Sequence, residues 1–367
     1  MSQTVIPWGD PKAQKKWSAT LAVDTVKKSY FEQRFIGTDD NAFIQRKTEL
    51  ESGPGDRVSF DLAVQLRGQP TFGDARLEGR EENQKFFTDE VAVDQIRHAV
   101  SAGGRMTRKR TAHDLRATGK ARLGDYFAKL HDELIFMYLS GTRGVNQDYT
   151  LPTTFTGFAG NAFQAPDAAH HMFGGSATSV ATITANDKMS RNLIERAKVK
   201  ADMMQALDPS AANMVPVNIG AEKHYVMLMS EFQAYDLRQE IGNAGWLDVQ
   251  KAAAAAEGKA NPIFRGGLGM INGVVLHSHR NVIRHLGGAG GNVPISRALL
   301  LGRQAAAIAY GSKGGLRYDW KEELKDYDNE PTVASGFIGG IKKTRFNGKD
   351  FGVITIDTAA ADPNAAA

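Results

Sequence analysis

Leu123, Phe127, Leu130, Leu134 and Met137 recur at alternating steps of four and three, a spacing that lines all five along one stripe of an α-helix. Thr111-Ala112-His113-Asp114 carries the hydroxyl and carboxylate spacing of a capping box, and Gly141 stands where a left-handed residue closes a helix. A helix over 111–141 would hold about 28 residues and, at about 1.5 Å each, reach roughly 40 Å. Such a helix can be the spine of a whole subunit, so the rest of the chain has to be arranged around it.

Upstream, Val58, Phe60, Leu62, Val64 and Leu66 alternate with polar residues between Arg57 and Arg67, the period of a half-buried strand. A return strand is expected over Val91 to Arg97. Between them lies GQPTFGDARLEGREENQK, with three glycines and one proline. A connection of that length inside a compact domain is uncommon unless it reaches outward, and the pattern reads as a long, projecting hairpin. Residues 1–50 scatter Trp8, Trp17, Leu21, Tyr30 and Phe31 among lysines and polar residues, an arm that needs a surface to lie on.

Downstream, a second helix is expected over Asn186 to Ala206, capped by Asn186 or Asp187 and ended before Asp208-Pro209. Tyr225 to Met229 and Val274 to Leu276 read as buried strands, and Trp246 to Glu257 as a short Ala-rich helix. Near the end, Ile341 to Phe346 and Lys349 to Ile356 flank Asn347-Gly348, the favoured two-residue hairpin turn. One long helix, two hairpins and a mixed later region argue for α+β and against regular βαβ alternation.

The 367 residues suffice for about two domains and for a sizeable core. Apolar residues at 42% and charged residues at 23% are globular proportions, which argues against wholesale disorder. The longest informative apolar run, Leu134 to Leu139, is far too short for a bilayer. MSQTVIPWGDPKAQKKW has no continuous apolar segment of the secretory kind, so synthesis and residence in a cytoplasm are expected. With no cysteine there is no thiolate nucleophile or thiolate zinc site, and a metal would need His and carboxylate ligands. The net charge of +4 is mild. Its one dense basic run, Arg105-Met106-Thr107-Arg108-Lys109-Arg110, is either a solvated connection or a phosphate contact.

Several patterns invite a catalytic or binding reading. Gly266-Gly267-Leu268-Gly269-Met270-Ile271-Asn272-Gly273 nearly spells a dinucleotide fingerprint, but Asn272 replaces the third glycine and the run precedes a strand instead of following one. Gly287-Gly288-Ala289-Gly290-Gly291 is as glycine-dense, yet no Gly-Lys-Ser or Gly-Lys-Thr occurs anywhere. His277 and His279 share one face of a strand and His285 could join them on a metal, which makes a His/carboxylate metalloenzyme one alternative. The plainer reading is a half-exposed strand whose histidines meet solvent or a neighbour. His170-His171 has only Asp167 close by. Glu81-Glu82, Asp132-Glu133 and Glu322-Glu323 are adjacent pairs that diverge on any regular element, and read as solvated charges. A DNA-binding accessory protein using the 105–110 cluster is a second alternative. What remains is an arm without its own core, a projecting hairpin with an apolar face and the acidic stretch from Lys321 to Glu330; such elements need neighbours to cover them.

IQRKTELESGPGDRVSF (44–60), LEGREE (77–82), DQIRHAV (94–100), GRMTRKRTAHDLR (104–116), DELIFMYLSG (132–141), NPIFRGGLGMINGVVLHSH (261–279) and IKKTRFNGKDFGV (341–353) resemble, in this order, tailed-bacteriophage major capsid proteins with the Hong Kong 97-type fold. The resemblance spans nearly the whole chain. It implies an N-terminal arm over 1–50, an extended loop and its base over 51–110, a peripheral domain over 111–205 and an axial domain over 206–300. Residues 301–367 would return through both domains. It also implies self-assembly into the pentamers and hexamers of an icosahedral shell around packaged double-stranded DNA, with a portal protein at one vertex and room for scaffolding and cement proteins. No cofactor, metal or catalytic residue is implied. Val58, Phe60, Leu62, Val64, Leu66, Phe72 and Leu77 would lap over an adjacent subunit, and Arg105, Arg108, Lys109 and Arg110 would contact DNA or a neighbour's carboxylates. Some shells with this fold carry a Lys-Asn isopeptide bond; Lys85 and Asn347 have the right types, but ordinary strand and turn roles are expected for them.

Overall fold

The computed structural model describes residues 29–63, 66–111, 114–207, 214–220, 222–240, 267–313 and 316–364. The helix that dominates the sequence runs Leu115–Ser140, 26 residues or about 39 Å at about 1.5 Å each. Its cap is Asp114, whose carboxylate accepts from the Arg116 and Ala117 amides at 3.0 and 3.1 Å. The expected capping box is therefore not the device used: Thr111 instead ends a separate short helix, Arg105–Arg110. At the far end Gly141 is left-handed, with φ 72°, and its amide donates to the Met137 and Tyr138 carbonyls. A Cβ there would lie 2.0 Å from the Gln164 carbonyl oxygen, so both conformation and space demand glycine.

Two sheets flank this spine. In the six-stranded sheet the order is Ile36–Gly37, Ile44–Lys47, Ala306–Tyr310, Glu330–Lys343 and Asp319–Lys325, with Asp94–Ser101 on the other edge of Glu330–Lys343. The eight-stranded sheet runs Gly269–Ile271, Val274–Ser278, Glu222–Met229, Val293–Leu301, Val353–Ala359 and His171–Phe173, and Arg284–Gly287 and Val217–Ile219 pair beside it. Side chains alternate between the faces of a strand, and Glu222–Met229 shows what that does here. Val226 and Leu228 enter the core shared with spine residues Leu134 and Leu139. Tyr225, Met227 and Met229 enter a second core under the helix Arg191–Leu207, with Leu193, Ile194 and Ala201. A strand covered on both faces reads as a continuous apolar run, which is what Tyr225 to Met229 is.

The structure corrects several local expectations. The second helix starts at Arg191, not at Asn186; the Asp187 carboxylate instead accepts from the Thr184 amide and hydroxyl at 2.7 and 2.9 Å. The strand returning from the hairpin is Phe86–Ala92, and beyond Val93 the chain leaves to pair with Glu330–Lys343. The C-terminal hairpin is real but tiny: Arg345–Phe346 pairs with Lys349–Asp350 across Asn347 and Gly348, at φ 51° and 72°. The long strands on either side of it go to different sheets, so the turn hands the chain from one sheet to the other. The glycine-rich run holds a second Asn-Gly turn, with Asn272 and Gly273 joining Gly269–Ile271 to Val274–Ser278. The expected helix from Trp246 to Glu257 lies outside the described residues.

Candidate assembly surfaces

Arg57–Ala63 and Phe86–Ala92 form a two-stranded antiparallel ribbon that pairs with no other strand. The sequence alternation is kept, and burial fades outward along it. Val58 is 6% exposed and packs with Leu50, Val91 and Ala309. Phe60 and Leu62 are half-buried, and Val64 lies outside the described residues. Beyond the ribbon Leu66, Phe72 and Leu77 are 62%, 79% and 63% exposed, and Phe86, which pairs with Ala63 at the ribbon's end, is 58% exposed. Large apolar side chains gathered on one projection, away from any core, are what an interaction surface looks like. The loop is not loose at its root. The Glu82 carboxylate accepts from the Arg67 amide at 2.8 Å and from the Gly68 amide, and those two donors hold it below the usual carboxylate range. At the base, Lys342 pairs with Asp89 at 2.5 Å, and the Arg345 amide donates to the same carboxylate.

The arm is fixed where the sequence placed solvated charges. Asp132 and Glu133 do diverge, as adjacent helix positions must, but both are buried. Asp132 accepts from the Ser29 hydroxyl at 2.8 Å and from the Tyr30 and Phe31 amides at 2.9 and 3.3 Å. It thus satisfies the donors of the turn with which the described arm begins, in the way a cap does for a helix. Phe31 and Phe35 then sink into the main core against Phe136 and Phe43. Burial pushes the Asp132 carboxyl up, against the pull of those three donors. Glu133 accepts from the Thr150 amide at 2.9 Å and pairs with Lys129 at 3.4 Å, tying the connection after the spine back onto it. Nothing in a single-sequence pattern signals the role of Asp132, because its partners lie about a hundred residues upstream.

The histidines are likewise structural. His277 is 1% exposed and packs edge-on to Phe35, while His279 lies against Phe136 and Tyr30 at ring distances of 5.0 and 4.6 Å. His277 therefore does not face solvent, as the half-exposed strand reading had it. Burial lowers His279 to about 4, which keeps it neutral inside this aromatic cluster. His285 sits apart, 3.8 Å from Asp357. Asp357 is fully buried, holds Arg297 through two bonds of 2.8 and 2.7 Å and meets His171 at 2.7 Å. His170 pairs with Asp167 at 2.9 Å. Among the described residues no group of three or more His, Cys, Asp or Glu side chains could hold a metal ion. None of their helices is long and apolar enough to cross a membrane.

Comparison with known proteins shows the family. The family model described as phage capsid protein matches residues 5–362. The chain belongs to the phage capsid protein family. It is 28% identical over 365 residues to the major capsid protein of Pseudomonas phage KPP25, covering 91% of this chain and 92% of that one. Among solved structures it is similar to the capsid of Ralstonia phage GP4, with 69% identity, complete coverage of both chains and a TM-score of 0.88. The Cyanophage Pam1 capsid shares the fold at 24% identity and a TM-score of 0.70, covering 92% of this chain and 93% of that one.

The function is that of a phage major capsid protein on the Hong Kong 97-type α+β fold. A capsid protein oligomerises with itself and forms the shell of the virion. Neither a metalloenzyme nor a DNA-binding accessory protein has support. Within this capsid subunit the basic run is a helix whose Arg105, Lys109 and Arg110 are exposed, whereas Arg108 is half-buried and donates to the Asn329 carbonyl at 3.1 Å.

Proposed function

We propose that this capsid protein builds the pentamers and hexamers of an icosahedral shell that encloses packaged double-stranded DNA, and that it does so without catalytic activity. In this reading residues 1–50 are the arm and 51–110 the extended loop with its base. The peripheral domain takes 111–205, the axial domain 206–300, and residues 301–367 return through both. Assembly takes place in the host cytoplasm, with a portal protein at one vertex and with scaffolding or cement proteins as optional partners. DNA contacts are non-specific.

The observation that carries the reading is the ribbon and its loop. Val58 anchors the ribbon to the body, while Leu66, Phe72 and Leu77 remain exposed at the far end. Fully burying such side chains is worth about 1.5–3 kcal/mol each, and in a self-assembling shell a neighbouring copy supplies the cover. The test is a triple substitution, Leu66→Ser, Phe72→Ser and Leu77→Ser, in the full chain expressed in a bacterial host. The monomer is expected to melt within about 0.5 kcal/mol of the parent, as surface substitutions do, while electron microscopy shows capsomers or dispersed protein and no closed shells. Normal shells from the triple variant would overturn the role assigned to this loop.

A further inference from the structure

The end of the six-stranded sheet farthest along Asp319–Lys325 carries two oppositely charged lobes side by side. One is the helix Arg105–Arg110, with Arg105, Lys109 and Arg110 exposed. The other is the hairpin between Asp319–Lys325 and Glu330–Lys343, whose exposed Lys321, Glu323 and Lys325 alternate in charge along the strand and whose tip is acidic, with Asp326 and Asp328 exposed. Tyr327 crowns the hairpin at 102% relative exposure, with no part of its ring covered. Asp326, Tyr327 and Asp328 are all left-handed, at φ 51°, 50° and 67°. For residues with a Cβ that conformation costs about 1–2 kcal/mol each, and the structure retains it three times in succession to hold Tyr327 outward.

Asn329 welds the lobes together. Its side-chain oxygen accepts from the Arg105 amide at 3.0 Å, supplying the cap that Gly104 cannot, and its carbonyl accepts from Arg108 at 3.1 Å. Its amide nitrogen donates to the Asp326 carboxylate at 3.1 Å. The Ser101 hydroxyl bonds Glu330 beside it. Yet among the described residues none of Arg105, Lys109, Arg110, Glu323 and Asp328 forms an ion pair within the chain. The weld holds the two lobes side by side without pairing these charges.

A body with adjacent complementary lobes, each unable to satisfy the other, matches a second copy of itself head to tail, and such contacts close into rings when the rotation closes. We infer that the Tyr327 hairpin of one subunit seats on the Arg105–Arg110 helix of the next, with Glu323 and Asp328 opposite Arg105, Lys109 and Arg110. An exposed tyrosine ringed by charges is a common anchor in such contacts. The partner is another copy of this chain, and the inference rests on the reading of self-assembly above. DNA is the competing partner for the cations, but it would be repelled by the acidic hairpin fixed beside them.

The test uses the full chain. Lys109→Glu with Arg110→Glu makes both lobes acidic, and Glu323→Lys with Asp328→Lys makes both basic. Each pair is expected to leave the melting temperature unchanged and to slow shell formation by about ten-fold or more, because complementary charge steers docking. The four-fold swap restores opposite lobes and is expected to recover most of the lost rate. Tyr327→Ser and a salt titration of the parent serve if a reversed variant misfolds. The former is expected to lower the yield of shells. Parent assembly should weaken as the screening length falls from about 10 Å at 0.1 M salt to about 3 Å at 1 M. Parent-like assembly by both reversed pairs, or a swap no better than either pair, overturns the contact while leaving the shell reading intact. Shells that form normally from Lys109→Glu with Arg110→Glu but retain less nucleic acid assign the cations to DNA and also overturn it. A parent chain that never forms capsomers or shells overturns both readings.

Discussion

Leu134 and Leu66 are the same side chain put to opposite uses. Leu134 is 1% exposed in the middle of the spine, and Leu66 is 62% exposed at the start of the projecting loop. From Leu130 to Ser140 the spine is buried on every side, polar residues included. The described loop residues from Leu66 to Lys85 belong to no core cluster. The apolar surface around the spine is consumed in making the subunit, whereas that of the loop is held over for making the shell. Leu134→Ala and Leu66→Ala should therefore diverge sharply. The first leaves a cavity and is expected to cost about 3–5 kcal/mol of subunit stability, read by denaturant unfolding. The second should cost less than about 0.5 kcal/mol in the same measurement, and similar losses from the two would erase the distinction.

Charge follows a similar division. Several carboxylates of the body are buried and paired, and Asp357 is the extreme case, joining Arg297 of one strand to His171 of another. Burial pushes its pKa up, but Arg297, His171 and His285 together outweigh burial, and the carboxyl is held well below the usual range. The folded value lies under the unfolded one, about 3.9, so this group's stabilisation is present above that value and is lost as pH falls through and below it. Asp357→Asn strands Arg297 in the core and is expected to cost about 3–5 kcal/mol at neutral pH. Melting curves at pH 7 and pH 3 check the sign: the parent should lose more stability on acidification than the variant does. Equal losses would mean that Asp357 is not a source of the acid sensitivity.

The same division explains what could be read from the sequence. The glycine stop at Gly141 and the buried strand at Tyr225 to Met229 depend on neighbours in the chain or on one local period, and they hold; the ribbon's alternation holds from Val58 to Leu62, but Leu66 lies outside the strand and the return strand is Phe86–Ala92 instead of Val91 to Arg97. The cap at Asp114 is hidden in the sequence because Thr111, three residues earlier, is also a cap former and ends the preceding helix. Asn347-Gly348 was read correctly as a turn, but which sheets its flanks join depends on Asp94–Ser101 and Val293–Leu301, far off in sequence. Asp132 reads as a solvated charge in the sequence, since its partners Ser29 to Phe31 lie about a hundred residues upstream. The loop's apolar residues were legible for the reason they are exposed: no partner within the chain alters what the pattern says. The lobes at Arg105–Arg110 and Asp326–Asp328 were each visible as charge runs, but the Asn329 weld that sets them side by side was not.

The smallest expected effect on the subunit tests where body ends and loop begins. Glu82 is fully exposed, and its carboxylate touches only the loop's own root, at the Arg67 and Gly68 amides. Losing its charge removes nothing from either core, so Glu82→Gln should leave the melting temperature of the subunit where it is. It weakens two charge-assisted bonds to backbone donors that have no other described acceptor, and bonds of that kind are the stronger ones. The loop from Arg67 to Glu82 should then open more often. Limited proteolysis of the unassembled chain is expected to cut faster between Gly68 and Glu81, with no change at sites in the spine or in either sheet. Faster cutting confined to the loop means that the loop is an independent unit whose order is local until a neighbour covers it. Unchanged cutting would place its order in the ribbon and the Val58 anchor instead, and a lowered melting temperature would mean that the boundary drawn at Ala63 is too close to the body.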